Sequence, residues 1–127
     1  MFIQIEPSSD IPIYTQLANQ IIELIARGQL NGGDTLPSVR ALASDLSVNM
    51  HTVNKSYHEL EQKGILRIVP KSGAVINPIV QEGITHENSR KIIGQLKPII
   101  AEALVLGMSP DEIRQHASSI LNDLKGE

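Results

Sequence analysis

The sequence predicts a mainly α fold with a small β-hairpin: three helices and the hairpin within residues 1–78, then a two-helix tail over residues 79–127. Three observations predict it. Apolar residues recur at helical spacing in three stretches before Gly64, and two β-branched runs separated by Pro70-Lys71-Ser72-Gly73 follow them. Beyond residue 90 the helical stripes return on two segments divided at Gly107. With 41% hydrophobic and 20% charged residues the chain has the composition of a folded protein, and 127 residues leave room for one core plus an appendage.

The elements follow in order. Phe2-Ile3-Gln4-Ile5 alternates apolar and polar and reads as a short strand, ended by the turn residues Pro7-Ser8-Ser9-Asp10. From about Pro12, Tyr14, Leu17, Ile21, Leu24 and Ile25 mark the inner stripe of a first helix that ends near Gly28. Asn31-Gly32-Gly33-Asp34 is loop material. Ser38 is placed to cap a short second helix facing inward with Val39, Leu42, Ala43 and Leu46. Ser47-Val48-Asn49 is a tight connection in which Val48 plugs the core and Asn49 caps the next helix. That third helix runs to about Lys63 with Val53, Tyr57 and Leu60 inward, and Gly64 supplies the left-handed residue that stops it. Ile65 to Val69 and Ala74 to Ile76 then form the hairpin. Three helices followed by a hairpin is the winged-helix order, and two helices joined by a three-residue turn form a helix-turn-helix whose second helix enters the major groove.

In the tail, Ile92, Ile93, Leu96, Ile99, Ile100, Ala103, Leu104 and Leu106 make a wide apolar stripe. Pro98 interrupts it, has no N–H for the carbonyl of Gly94, and is expected to kink or divide the helix. Ser109-Pro110-Asp111-Glu112 is a capping box with proline in its preferred position, opening a last helix with Ile113, Ala117, Ile120, Leu121 and Leu124 on one side. Two such helices cannot bury both stripes on each other, so a second copy of the chain is the expected partner. The alternative is that the stripes pack back on the first 78 residues.

Several function classes are disfavoured. The formal net charge of −3 argues against nonspecific polyanion binding by the whole chain, although Arg40, Lys55, Lys63, Arg67 and Lys71 outnumber Asp45, Glu59 and Glu61 between residues 40 and 71. The absence of cysteine removes disulfides and thiolate metal sites and fits a reducing compartment. No leader or membrane-length apolar run is seen, which makes cytoplasm the expected location. His51 and His58 lie two helical turns apart, about 10 Å, too far to share a metal, and Glu82 with His86 offers only two ligands. No phosphate loop, nucleophile elbow or acid/base pair is present, so neither catalysis nor a cofactor is expected.

On the third helix, positions opposite Val53, Tyr57 and Leu60 face solvent. Met50, His51, Asn54 and Lys55 are therefore candidate contacts to double-stranded DNA, with Asn49 and Thr52 near the rim. Asn54 suits a bidentate pair to adenine, and Lys55 suits either guanine or phosphate. Each has a plainer alternative: Ser38 and Asn49 serve as caps in any case, and Lys55, Lys63 and Arg67 are also ordinary solubilising charges.

The segments PIYTQL, IARGQLNGGDTLPSVRALA, VNMHTVNKSYHELEQKGIL and KSGAVI, in that order between Pro12 and Val75, resemble the DNA-binding domain of GntR-type regulators. The short tail and the Asn49-x-x-Thr52-Val53-x-Lys55 wording are most similar to the YtrA-type branch, which lacks a large effector-binding domain. The resemblance implies a sequence-specific regulator, usually a repressor, that dimerises through its tail on an inverted repeat. It implies that Arg40 reaches the groove or flanking phosphates, that Ser38 approaches phosphate at a helix start, and that Lys71, Ser72 and Gly73 form the wing contact. At Met50, where many relatives carry arginine, it implies an apolar contact such as a thymine methyl. The wing departs from the family's Gly-x-Gly-Thr turn, with Lys71-Ser72-Gly73-Ala74 in its place. The dimer surface expected on the tail comprises Ile92, Ile93, Leu96, Ile99, Ile100, Leu104, Ile113, Ala117, Ile120 and Leu121. A small-molecule effector is left open, and two other readings stand beside the regulator: a winged-helix module for protein contacts, and a fragment of a GntR-type enzyme fusion.

Overall fold

Leu17, Ala18 and Ile21 form the inner face of α1 (Ile13–Ala26) in the computed structural model, which describes residues 3–78 and 83–126. Two positions named above, Phe2 and Glu82, lie outside the described residues. The chain divides into two compact units, Met1–Ile79 and Val80–Glu127.

The first unit continues through β1 (Thr35–Leu36), α2 (Val39–Leu46), α3 (Met50–Gln62), β2 (Leu66–Val69) and β3 (Gly73–Ile76). Helix α3 packs on both α1 and α2, and its inner face is Val53, Ser56, Tyr57 and Leu60. Ser56 is a polar residue in this core, and its Oγ donates to the carbonyls of Tyr14 (2.6 Å) and Thr52 (3.3 Å). A hydroxyl satisfied in this way sits in an apolar stripe without an unpaired polar atom.

The expected N-terminal strand is not formed: Ile3, Gln4 and Ile5 belong to no ladder. Two glutamine side chains of α1 take the place of a partner strand. The Gln20 amide donates to Gln4 O (2.5 Å) and accepts from Gln4 N (2.9 Å), and the Gln16 amide does the same with Glu6 at 3.0 and 2.9 Å. The alternation survives as packing, since Ile3 and Ile5 rest half-buried against the core.

The hairpin is part of a three-stranded antiparallel sheet of order β1-β3-β2. Strand β1 was not anticipated, because two residues carry no readable period. It pairs Thr35 with Val75 and Leu36 with Ala74, and the backbone N–H groups of Gly33 and Ile76 close its start at 2.8 Å each, on Ile76 O and Asp34 O. Gly73 opens β3, the central strand, with φ +94°, and a Cβ there would stand 2.1 Å from the carbonyl oxygen of Leu36.

The second unit is α4 (His86–Val105) and α5 (Pro110–Lys125). Helix α4 runs through Pro98 without dividing. The carbonyl that Pro98 deprives belongs to Gly94, an exposed residue open to water, so the missing bond gives no cause to end the helix. The capping box forms as expected: Ser109 Oγ accepts from Glu112 N (3.1 Å) and Glu112 Oε1 accepts from Ser109 N (3.2 Å). These bonds from Ser109 hold the Glu112 carboxyl below the usual range, so their contribution is present above that range and lost as pH falls through the lowered pKa. Neither α4 nor α5 has a buried residue, and all twelve buried apolar side chains among the described residues lie between Leu17 and Ile76.

Gly64 and Gly73 both adopt positive φ, but only Gly73 has backbone where a Cβ would go. Gly64→Ala should cost about 1 kcal/mol for conformation alone, whereas Gly73→Ala should cost about 3 kcal/mol or more because Leu36 and Pro37 must move. Denaturant melts of the two variants, compared with wild type, check the difference.

Candidate nucleic-acid interface

The helix-turn-helix is built from two caps and a plug. Ser38 Oγ accepts from Ala41 N (3.1 Å) to open α2, and Asn49 Oδ1 accepts from His51 N (2.7 Å) to open α3. Between them Ser47 takes a left-handed φ of 56°, which turns the chain so that Val48 packs against the core. The first turn of α3 is thereby held clear of the body, with Met50, His51 and Asn54 exposed.

An open cleft of about 600 Å³ lies between that turn, the start of α2 and the wing. It brings together seven of the sequence-derived candidates: Ser38, Arg40, Met50, His51, Asn54, Lys71 and Gly73. Val39, Ile68, Val69 and Pro70 complete its wall. The other four lie elsewhere. Asn49 is turned into its cap, Thr52 is half-buried, the N–H of Ser72 closes the wing turn on Val69 O (2.9 Å), and Lys55 lies over the ring of Tyr14. Gly73 is buried, and its contact is with the backbone of Leu36 and Pro37.

The charge of the cleft differs from that of the chain. Among the described residues Arg40 and Lys71 line it and no carboxylate does. Two acids of α3 are engaged elsewhere, Glu59 pairing with Lys63 at 3.9 Å and Glu61 Oε2 accepting from Ile68 N at 2.8 Å, while Asp45 is exposed near the end of α2 and does not line the cleft. A positive, partly apolar slot flanking an exposed helix start has the form needed to meet a groove edged by phosphates.

The family model for bacterial regulatory proteins of the gntR family matches residues 13–76, which span every element from α1 to β3. The chain belongs to the GntR family. It is 36% identical to the HTH-type transcriptional repressor YtrA of Bacillus subtilis (strain 168) over 124 residues, covering 98% of this GntR chain and 95% of that one. The YtrA-type resemblance therefore extends through the tail, and a regulator rather than an enzyme is what the chain resembles over its whole length. Among solved structures, a transcriptional antiterminator from Listeria monocytogenes EGD-e matches all of the chain and 95% of its own with TM-score 0.89 at 29% identity. YtrA from Sulfolobus acidocaldarius, a GntR-family transcription factor, matches 83% of this chain and 99% of its own with TM-score 0.64 at 44% identity.

The tail of this GntR chain exposes the stripes read from its sequence. Ile92, Ile93, Leu96, Ile99, Leu104, Ala117, Ile120 and Leu121 are exposed, with Ile99 at 64%, while Ile100 and Ile113 are half-buried. Among the described residues no helix is long and apolar enough to cross a membrane, and no group of three potential metal ligands occurs.

Tyr57 is the residue whose importance the sequence understated. Its spacing reads as core, and it is fully buried, yet its hydroxyl donates to Pro37 O at 2.7 Å, immediately before the cap of α2. The signal was available in the residue type, since a tyrosine in a core stripe must find a partner for its hydroxyl. Burial pushes the phenol well above its ordinary pKa, so it remains a donor through neutral pH. Tyr57→Phe should cost about 1–2 kcal/mol by leaving the Pro37 carbonyl unpaired, and amide exchange should accelerate at Ala41 and along β1. Hydrogen-exchange NMR of the two proteins provides the check.

Proposed function

We propose that this GntR chain is a cytoplasmic, sequence-specific transcriptional repressor that binds an inverted-repeat operator in double-stranded DNA as a homodimer. The carrying observation is the cleft in which Arg40, Met50, His51, Asn54 and Lys71 converge beside the exposed start of α3, with no carboxylate among the described residues that line it. Its full-length similarity to the YtrA repressor supports the sense of regulation.

In this reading residues 1–78 hold DNA and residues 79–127 hold the second copy. Asn54 pairs with an adenine edge, and Met50 meets a thymine methyl, which the apolar wall of Ile68 and Val69 keeps dry. Arg40 and Lys71 neutralise phosphates on either side of the groove, and Ser38 presents the α2 start to another. Ser72 lies at the wing turn beside Lys71, while Gly73 serves by letting the wing approach Pro37. Homodimerisation is supported by the lack of any buried residue in α4 and α5, because an isolated helix pair of this size has too little core to stand alone. An apolar groove of about 370 Å³ on α4, lined by Ile93, Leu96, Ile100 and Leu104, offers the second copy a seat.

Selection from random duplexes with the purified protein should return inverted repeats with half-sites about one helical turn apart. Only asymmetric motifs would overturn the symmetric dimer. Arg40→Glu should lower operator affinity at least tenfold while sedimentation still shows a dimer, and unchanged affinity would favour a protein-contact module instead. Leu96→Glu should halve the mass in solution and weaken the full operator far more than a single half-site, as measured by sedimentation and anisotropy.

A further inference from the structure

We propose that Lys55 and Tyr14 form a phosphate clamp on the flank of α3, in which the tyrosine ring holds the lysine against the DNA backbone and away from the base edges. This rests on the DNA-binding reading above. The sequence leaves Lys55 open between guanine and phosphate, and the geometry separates the two. Met50, His51 and Asn54 form one stripe of α3 that lines the cleft, and Lys55, next in sequence to Asn54, does not line it. Its Nζ instead stands 3.9 Å from the centroid of the Tyr14 ring, on the side of α3 that faces α1.

The ring is held there by bonds independent of its own chemistry. The carbonyl of Tyr14 accepts from the buried Ser56 Oγ at 2.6 Å, which fixes the start of α1 against α3 and presents the half-buried ring beneath Lys55. Glu59, one turn beyond Lys55, directs its ion pair to Lys63. An ammonium has three donors, and the ring face occupies one side of it by attraction to the quadrupole. The remaining donors point to solvent on the exposed flank of the helix, where a backbone phosphate passes when the first turn of α3 enters the major groove. Phosphate needs a point charge and no planar fork, so a lysine parked on an aromatic face satisfies it, whereas guanine readout requires the ammonium inside the cleft. Holding the long side chain in place before DNA arrives also reduces the ordering entropy on binding. Lys55 thus sets affinity and salt dependence, and Tyr14 is its positioning residue.

The test uses the full chain and its selected operator, titrated by fluorescence anisotropy across a salt series. Lys55→Met should weaken binding about fivefold, lower the slope of log affinity against log salt by about 0.9, and leave base preferences unchanged. Tyr14→Leu should weaken binding about threefold and add little in the presence of Lys55→Met, while Tyr14→Phe, which keeps the ring face, should match wild type. NMR gives a second readout that needs no variant to fold: the Lys55 ε protons should show an upfield ring-current shift that persists on the operator. Relaxed preference at one base pair in Lys55→Met, additive losses in the double variant, or disappearance of the ring-current shift on binding would each overturn the clamp while leaving the repressor reading intact. Failure of the wild-type protein to bind any duplex would overturn both.

Discussion

The backbone of Pro37 is held from two sides, and the cleft depends on that confinement. From α3 the Tyr57 hydroxyl donates to its carbonyl at 2.7 Å, and from the wing Gly73 presses so close that no side chain fits between them. Pro37 immediately precedes Ser38, the cap of α2, so one residue registers the start of α2, the body of α3 and the first residue of β3 against one another. Together with the end of β2 and the wing turn, these elements wall the cleft. A site whose side chains must match a fixed helical groove requires its supports to be rigid, and buried polar bonds to backbone supply a rigidity that apolar packing alone leaves looser.

Charge follows the same division between whole and part. The chain carries a formal charge of −3, yet Arg40 and Lys71 face the cleft without a carboxylate among the described residues that line it. Local structure makes the difference. Glu61 is spent on the Ile68 amide, which joins α3 to β2, and Glu59 on Lys63. Glu61 thus serves the scaffold, and the field at the opening is set by the cations that face it.

The two units obtain their stability differently. The first encloses Leu17, Ile21, Tyr57, Leu60, Leu66 and Ile76 at full burial, each contributing about 1.5–3 kcal/mol. The second has well-formed helix starts at Thr85 and Ser109, but neither of its helices has a buried residue, and Ile92, Ile93, Leu96, Ile99, Ile120 and Leu121 are each half exposed or more. Caps contribute about 1 kcal/mol each and cannot replace a core. Its apolar stripe is therefore exposed surface, the face that the proposed second copy would cover.

Much of this was legible in the residues themselves. Helical spacing located α1, α2, α3 and the tail helices, Ser38, Asn49 and Ser109 announced their own caps, and the Pro70 to Gly73 turn announced the hairpin, because each signal is local and its physical cause lies within a few residues. What only tertiary structure decided is non-local. Strand β1 exists because Gly33 and Asp34 meet Ile76, the N-terminal segment is held by Gln16 and Gln20 in place of a strand, and Pro98 is tolerated because Gly94 is open to water. Likewise the sequence offered Lys55 and Asn54 as equal neighbours on one exposed face, and the fold parted them by setting Tyr14 beneath one and the cleft beside the other. Periodicity tells which face of a helix is outward. Only the packing of elements distant in the chain decides what that face meets.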